Sequence, residues 1–173
     1  AAASIMAVGS AASAAEIQQT DVYTSGTDGY AIFRIPSIVA TSSGTLLAFA
    51  EGRKDDGSDT GRIDTVLKRS FDGGETWGPL QVVWSDGENT CGNPAPVVDR
   101  ETGRIVLLST WNRGDDKEKE IAERTSRDTR RVFVSYSTDD GATWHGRKEI
   151  TSVVKKDDWR WYATGPCHGI QLE

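Results

Sequence analysis

One short motif occurs twice in this chain, and it constrains the fold more than any other feature of the sequence. Residues 70–77 read S-F-D-G-G-E-T-W, and residues 137–144 read S-T-D-D-G-A-T-W. Ser and Asp side chains can hydrogen-bond to the amides of a tight turn, Gly supplies a positive φ, and the closing Trp is large and apolar. The motif therefore predicts two equivalent β-hairpin turns.

Strand-like segments flank both copies of the motif. The first copy lies between runs at 65–68 and 80–84, and the second between runs at 132–136 and 148–150. Further candidates, bounded by Gly, Pro, Asp or Asn, are 35–40, 45–50, 96–98 and 104–110. Repeated strand-turn units that cannot bury their faces alone are typical of solenoids and propellers. We therefore predict an all-β fold.

A charged insertion interrupts the strand pattern at residues 114–127, which read G-D-D-K-E-K-E-I-A-E-R-T-S-R. Its one large apolar residue, Ile121, lies in a segment that could form a helical turn. Because runs of charge usually face water, we interpret the insertion as a solvated loop.

The overall charge argues against a nucleic-acid partner. Twenty Lys and Arg residues stand against 26 Asp and Glu, which leaves a net charge of −6. A nucleic-acid groove that binds through attraction to phosphate groups is therefore disfavoured. No apolar run approaches the roughly 18 residues of a membrane-spanning helix, so we expect no transmembrane segment.

The cysteines and histidines do not predict a metal site. Cys91, Cys167, His145 and His168 have none of the spacings typical of metal ligands, and no calcium-binding loop is recognisable. We expect no metal and no cofactor. A disulfide between the two cysteines stays open, although isolated cysteines more often behave as small buried apolar residues.

The amino-terminal residues indicate export. Residues 1–15 are rich in Ala, and small residues at Ala14 and Ala15 would suit cleavage by a signal peptidase. An Ala-rich linker or tag is the alternative, because no basic stretch precedes these residues. We expect residues 1–15 to be a signal-peptide remnant or a linker, residues 16–173 to form the domain, and the protein to be secreted, periplasmic or on the cell surface.

Arg34 is the first residue that could carry chemistry. It stands among apolar neighbours in Y-A-I-F-R-I-P-S, residues 30–37. A buried cation needs a partner because its desolvation is costly, and the planar guanidinium suits a carboxylate. Taken alone, Arg34 fits either a structural salt bridge to an Asp or a role in binding an acidic ligand.

The order of several motifs resembles the amino-terminal part of the exo-α-sialidases, or neuraminidases. F-R-I-P is followed by a strand, then by A-E-G-R-K-D-D-G-S-D-T-G-R-I-D at residues 50–64, then by the repeated turn, which is the Asp-box of that family. N-P-A-P at 93–96 and A-T-G-P-C-H-G at 163–169 resemble further stretches of the same enzymes. The resemblance covers roughly residues 23–173 and implies the first two to three blades of a six-bladed β-propeller.

The resemblance also implies roles for individual residues. Arg34 matches the first arginine of the triad that grips the carboxylate of sialic acid. Arg53 matches an arginine beside that carboxylate, with a surface cation as the alternative. Asp59 best matches the acid/base aspartate, and Asp64 is the runner-up. Asn93 matches a loop near the N-acetyl and hydroxyl side of the sugar, although Asn-Pro is also a common turn signal.

The implied function is retaining hydrolysis of terminal sialic acid from glycoproteins, glycolipids or oligosaccharides, so sialylated glycans are the expected partners. Sialidases use a tyrosine nucleophile. In the family this Tyr, its Glu and two further triad arginines come from later blades, so we expect these 173 residues alone to be an inactive fragment. The alternative is a non-catalytic Asp-box propeller that binds glycans or proteins, and trans-sialylation is a third possibility.

Overall fold

The computed structural model describes residues 17–172 and shows eight strands and two short helices within that range. In chain order these are β1 (Ile32–Ala40), β2 (Leu46–Arg53), β3 (Ile63–Ser70), β4 (Gln81–Trp84), β5 (Thr90–Val98), β6 (Ile105–Asn112), α1 (Glu118–Glu123), β7 (Arg131–Ser137), β8 (His145–Glu149) and α2 (Thr151–Val154). The expected signal-peptide remnant or linker at 1–15 lies outside the described residues.

The strands form two consecutive four-stranded blades. Strands β1 to β4 pair antiparallel in chain order, and β5 to β8 do the same. The blades meet where Ile63 of β3 pairs in parallel with Thr90 of β5. The resulting 8-stranded sheet does not close on itself. This arrangement confirms the prediction of an all-β, partial propeller.

Both copies of the repeated motif form the predicted turns, one between β3 and β4 and one between β7 and β8. In the first turn, Asp72 accepts hydrogen bonds from the Ser70 hydroxyl at 2.7 Å and the Thr76 amide at 3.0 Å. Asp139 accepts the equivalent two bonds in the second turn, at 2.7 and 2.9 Å. The shared sequence therefore produces the same local structure twice.

The main hydrophobic core combines residues of both blades. Its buried members are Leu47, Phe49, Leu67, Val83, Ile105 and Leu107. Trp144, the closing residue of the second motif, packs against this cluster with its ring edge-on to Phe49 at 5.6 Å. Phe49 belongs to the first blade and Trp144 to the second, so the closing Trp of the second motif packs against the neighbouring blade.

The charged insertion between β6 and β7 is only partly solvated. It contains α1, which confirms the expected helical turn, and Ile121 of that helix is buried. Asp116 is also buried, and its carboxylate accepts hydrogen bonds from the amides of Arg127 at 3.0 Å and Asp128 at 2.9 Å. The interpretation as a solvated loop is therefore wrong for Ile121 and Asp116, because the first is buried and the second closes the loop on itself.

Both cysteines are free: Cys91 is buried and Cys167 is exposed. Burial raises the pKa of the Cys91 thiol.

Between residues 17 and 172, the fold has no helix of the length and hydropathy needed to cross a bilayer. Over the same range, no group of three or more His, Cys, Asp and Glu side chains is placed to hold a metal ion.

Candidate active site

The candidate site lies at one end of the first blade. Arg34, near the start of β1, pairs through its backbone with Glu51 of β2, and Arg53 is the last residue of that strand. Alternate residues of a strand point to the same face, which brings Glu51 and Arg53 together. The connection 54–62 between β2 and β3 lies at the same end and carries Asp59.

Asp59 joins the two arginines. Its Oδ1 accepts hydrogen bonds from Arg34 Nη1 at 3.0 Å and from Arg53 Nη2 at 2.8 Å. The Gly57 carbonyl accepts from Nη1 of both arginines, at 3.1 and 2.6 Å. The side chains of Arg34 and Asp59 are 43% and 50% exposed. The structure thus assembles a cation and an acid that are both open to a ligand.

Arg53 is buried beneath this pair, and the alternative of a surface cation is wrong. Its Nε and Nη2 donate to Glu51 Oε2 at 3.1 and 2.5 Å, while Nη2 also reaches Asp59. Its Nη1 donates to the carbonyls of Gly57 at 2.6 Å and Ser58 at 2.7 Å. A guanidinium has five N–H donors. These contacts engage all of them, so Arg53 fixes the acidic loop.

Glu51 is a central residue that sequence reasoning missed. While Oε2 binds Arg53, Oε1 accepts a hydrogen bond from the backbone N–H of Asn93 at 2.8 Å. A Cβ at Gly92 would stand only 2.4 Å from that oxygen. The carboxylate therefore connects the first blade to β5, which is the inner strand of the second blade as β1 is of the first. The E-G-R triplet, with Glu and Arg two residues apart, was the available signal.

Asn93 lies in a bulge of β5 with φ at 50°, where the ladder shifts between Gly92 and Ala95. Its Oδ1 accepts a hydrogen bond from Thr110 Oγ1 at 2.9 Å and a short one from Arg130 Nη2. Because Arg130 can only donate, the amide oxygen faces inward. The Asn93 Nδ2 group makes no hydrogen bond to residues 17–172, so it is available as a donor.

Arg130 is a second buried arginine that the sequence did not mark. It is 3% exposed, its Nη1 donates to Asn112 Oδ1 at 3.0 Å, and its guanidinium lies 3.8 Å from the centre of the Trp161 ring. Burial lowers the pKa of Arg130 to about 10, against the favourable charges of Glu51 and Asp59. Arg130 follows a charged insertion and precedes another arginine, so no local pattern distinguished it from an exposed charge.

Asp64 does not join this group. It pairs with Gly52 in the register in which Glu51 pairs with Thr65, so its side chain leaves β3 on the opposite face. There it accepts a hydrogen bond from Tyr30 at 2.7 Å and lies 3.0 Å from Lys54 Nζ. Burial, and then Asp64, raise the pKa of Tyr30.

The other two acids of the loop are exposed. Asp55 forms an ion pair with Arg62. Asp56 accepts a hydrogen bond from the Ser58 amide at 2.7 Å. Neither contacts Arg34 or Arg53, so Asp59 is the acid that the structure brings to both arginines.

Comparisons with known proteins identify relatives over most of the chain. The BNR repeat-like domain family matches residues 44–173. The exo-alpha-sialidase of Aspergillus fumigatus is 36% identical over 161 residues, which are 83% of this chain and 39% of that protein. The sialidase of Bacteroides fragilis is 32% identical over 160 residues, 85% of this chain and 29% of that protein.

Solved structures give the same answer. The Hadza microbial sialidase Hz136 superposes with a TM-score of 0.75 at 31% identity, over 86% of this chain and 32% of that one. A leech intramolecular trans-sialidase superposes with a TM-score of 0.76 at 14% identity, over 90% of this chain and 40% of that one, and so shares the fold.

These findings define the class of protein: the chain belongs to the BNR repeat-like domain family. Within that family it is a member of the sialidases, which confirms the resemblance carried by F-R-I-P, E-G-R and the two Asp-boxes. The chain spans about two fifths of the fungal relative, 39% of its length.

Proposed function

We propose that this chain forms part of the active site of an exo-α-sialidase that hydrolyses terminal sialic acid from glycoconjugates with retention of configuration. The observation that carries this proposal is the ion pair between Arg34 and Asp59, with 3.0 Å between Nη1 and Oδ1. It sets a carboxylate-binding cation beside a candidate proton donor at an accessible end of the blade.

Arg34 is suited to bind the carboxylate of the substrate. Its Nη1 is engaged with Gly57 and Asp59, whereas its Nε and Nη2 make no hydrogen bond to residues 17–172. Two parallel N–H groups of a guanidinium match the two oxygens of a carboxylate. A substrate held there would lie beside Asp59.

Asp59 acts in this proposal as the general acid and base. Cleavage of a glycosidic bond requires a carboxylic acid that protonates the leaving oxygen and then, as the carboxylate, activates water. Asp59 Oδ2 accepts no hydrogen bond from residues 17–172, so it is free to meet the glycosidic oxygen. A substrate carboxylate bound through Nε and Nη2 of Arg34 leaves the contact between Nη1 and Asp59 in place, so the acid stays beside the bound sugar.

Arg53 and Asn93 complete the part of the site that this chain supplies. Arg53 acts as a positioning residue, since its donors hold Glu51, Asp59 and the carbonyls of the loop. Asn93 Nδ2 is placed to donate to an N-acetyl carbonyl or a hydroxyl of the sugar, while its Oδ1 is fixed by Arg130.

The nucleophile comes from elsewhere in the propeller. In this family it is a tyrosine, and a neutral phenol suits an anomeric centre that carries a carboxylate because an Asp or Glu nucleophile would be repelled. We assign residues 16–173 to the amino-terminal part of the catalytic propeller. The Gly169 amide donates to the Pro96 carbonyl at 2.9 Å, which supports a further inner strand beside β5.

The Ala-rich residues 1–15 support a protein exported to the cell surface, the periplasm or the medium, where sialylated glycoproteins and glycolipids are accessible. Its substrates in this proposal are those glycans.

Release of sialic acid from sialyllactose, a natural sialoside whose leaving group is a sugar hydroxyl, tests the proposal in the full-length protein that contains this chain. We expect Asp59→Asn to lower kcat by about 100-fold or more, the range for loss of a general acid. Arg34→Lys keeps the charge but loses the fork, so it should weaken kcat/KM. The exposed residues Glu101 and Arg100 provide matched controls, and Glu101→Gln and Arg100→Lys should behave as wild type.

Wild-type rates for Asp59→Asn would overturn its role as the acid. Binding of sialyllactose by the wild-type protein without any hydrolysis would instead favour the non-catalytic propeller. Transfer of the sialyl group to an acceptor sugar, measured in the same assay, separates a trans-sialidase from a hydrolase.

A further inference from the structure

A cavity of about 790 Å³ lies between the charged insertion and the segment that follows α2. The insertion joins the carboxyl end of β6 to the start of β7, and this is the same end of the sheet that carries Asp59. Lys117 Nζ of the insertion lies 3.4 Å from Thr60 Oγ1, one residue from Asp59. The cavity is therefore a neighbour of the candidate active site, with a separate lining.

The cavity gathers cations in a chain whose net charge is −6. Four of its lining residues, Arg124, Lys155, Lys156 and Arg160, form no ion pair with a carboxylate among residues 17–172. Arg124 and Arg160 donate instead to backbone carbonyls, that of Asp157 at 3.2 Å for Arg124 and that of Asp158 at 2.6 Å for Arg160.

The acidic residues in the wall do not neutralise this group. Asp128 and Glu149 both bind Arg131, at 2.6 and 3.3 Å. Asp157 is exposed and makes no ion pair within the described part of the chain. Positive charge therefore dominates the cavity, and an anion would be attracted to it.

Lys155 distinguishes this cavity from a set of surface charges, because it is a buried cation held by fixed partners. It is 9% exposed, and its Nζ donates to Thr129 Oγ1 at 2.6 Å and to the Arg130 carbonyl at 2.7 Å. An ammonium group has three donors, so one remains for a ligand. Burial lowers the pKa of Lys155, nearby Arg130 and Arg160 add to this effect, and Asp128 opposes it.

Trp159 adds an apolar surface to the same wall. Its side chain is exposed, its ring stacks on Tyr162 with 5.5 Å between centroids, and Lys156 Nζ lies 5.8 Å from its centre. An indole offers a flat apolar face to a sugar ring, with the cations placed for a charged substituent. The cavity volume is within the range of about 300–1,000 Å³ that is usual for ligand sites.

We propose that this cavity binds a second anionic sugar of the same glycan, one that carries a carboxylate or a sulfate ester, while Arg34 holds the terminal sialic acid. The inference rests on the proposed function, because it assigns the recognition of the remainder of the substrate. The cavity would make glycans with two negative charges better ligands than glycans with one.

The test measures the binding of three probes by calorimetry to the intact protein with Asp59→Asn, which slows turnover. The probes are sialyllactose, a lactose that carries two linked sialic acids, and a sulfated sialyllactose. We expect Trp159→Ala and Arg160→Ala each to weaken binding of a doubly charged probe by about tenfold, and to leave sialyllactose unchanged. Arg160→Lys should recover part of the affinity, and Arg100→Ala, which lies outside the cavity, should have no effect.

The two doubly charged probes identify whether the second anion is a carboxylate or a sulfate. If each doubly charged probe binds the Trp159→Ala and Arg160→Ala variants as tightly as it binds the wild-type cavity, this inference is overturned. If sialyllactose still binds, the proposed function stands. Failure of the intact protein to bind any of the three probes would reject the proposed function, and this inference with it.

Discussion

Two residues at the candidate site adopt a left-handed backbone conformation, which Asn tolerates and a β-branched Ile disfavours. Ile35 has φ at 55° and Asn93 has φ at 50°, and each is followed by a proline within a bulge of an inner strand. A β-branched residue with positive φ is a strained arrangement, and such strain is concentrated at functional sites. Both inner strands thus use the same irregularity to aim a site residue, Arg34 in one case and Asn93 in the other.

The buried pair of Glu51 and Arg53 makes a prediction about stability. Glu51→Gln removes the carboxylate and leaves Arg53 as a buried cation with a neutral neighbour. Breaking one partner of a buried ion pair costs about 3–5 kcal/mol, so we expect a loss near the lower limit because Asp59 remains. Urea unfolding of the intact protein measures this, and Glu101→Gln is the control. A loss equal to that of the control would contradict the role of Glu51.

At this scale the sequence pointed to the residues that stand in recognisable motifs, and their roles stay predictions. Short segments that resemble those of the sialidases contain Arg34, Arg53, Asp59 and Asn93. Glu51 contacts Asn93 across 42 positions, and Arg130 contacts Asn93 across 37. Contacts of that range depend on how two blades pack, which no local pattern specifies.

Each Asp-box turn contains a carboxylate whose pKa depends on folding. The side-chain hydrogen bond of Thr76 is the main cause that lowers the pKa of Asp72 to about 2. Desolvation raises the pKa of Asp139, but hydrogen bonds from Thr143 and Ser137 outweigh it and lower the value to about 2. Both carboxylates are therefore stabilised as anions in the folded state.

We predict an acid-sensitive step in stability. An unfolded Asp titrates near about 3.9, so the contribution of both turns is complete above that pH and is lost as the pH falls towards about 2. The Tm of the intact protein, measured from pH 6 to pH 2, should fall in that interval, and in the double variant Asp72→Asn, Asp139→Asn it should fall less. Parallel profiles for the two proteins would contradict the prediction.

The two Asp-box tryptophans have the same sequence position but different surroundings. Trp144 packs on the core that combines both blades, whereas Trp77 of the first turn is outside that cluster. We expect Trp144→Ala to lower the free energy of unfolding by about 3 kcal/mol or more, and Trp77→Ala by less. Chemical denaturation of the two variants measures the difference. Equal losses would show that the motif acts only within its own turn.

Strand positions were largely predictable, and the main exception has a physical cause. The sequence predicted only 96–98 for β5, whereas the strand covers Thr90–Val98. Asn-Pro is a common turn signal and proline lacks the N–H that a ladder needs, so the part of the strand before Pro96 was not predicted. The bulge that starts at Gly92 removes this conflict, because a bulged residue takes no place in the regular ladder.

At the scale of the whole molecule, the blades described here present uncovered apolar side chains. Phe71 is 72% exposed, Ile38 is 48% exposed and Val82 is 49% exposed. In a closed ring, neighbouring blades cover such surfaces. An open pair of blades should therefore be prone to association.

We predict that residues 1–173 expressed alone neither turn over a sialoside nor remain monomeric. One arginine and one acid cannot replace a nucleophile and further carboxylate ligands. Hydrolysis of a fluorogenic sialoside and the mass measured by light scattering check the two parts, with the intact protein as the control for the assay. Sustained turnover by a monomeric chain would contradict both.

The close approach of Gly92 to Glu51 has a consequence for engineering. A methyl group at position 92 would collide with the Glu51 carboxylate that holds Arg53. The packing of these two side chains against β5 therefore requires glycine at this position. A chimaera that takes one blade from this chain and the next from a relative must preserve that fit. Recombination boundaries should therefore lie outside the two blades, so that both blades are exchanged together.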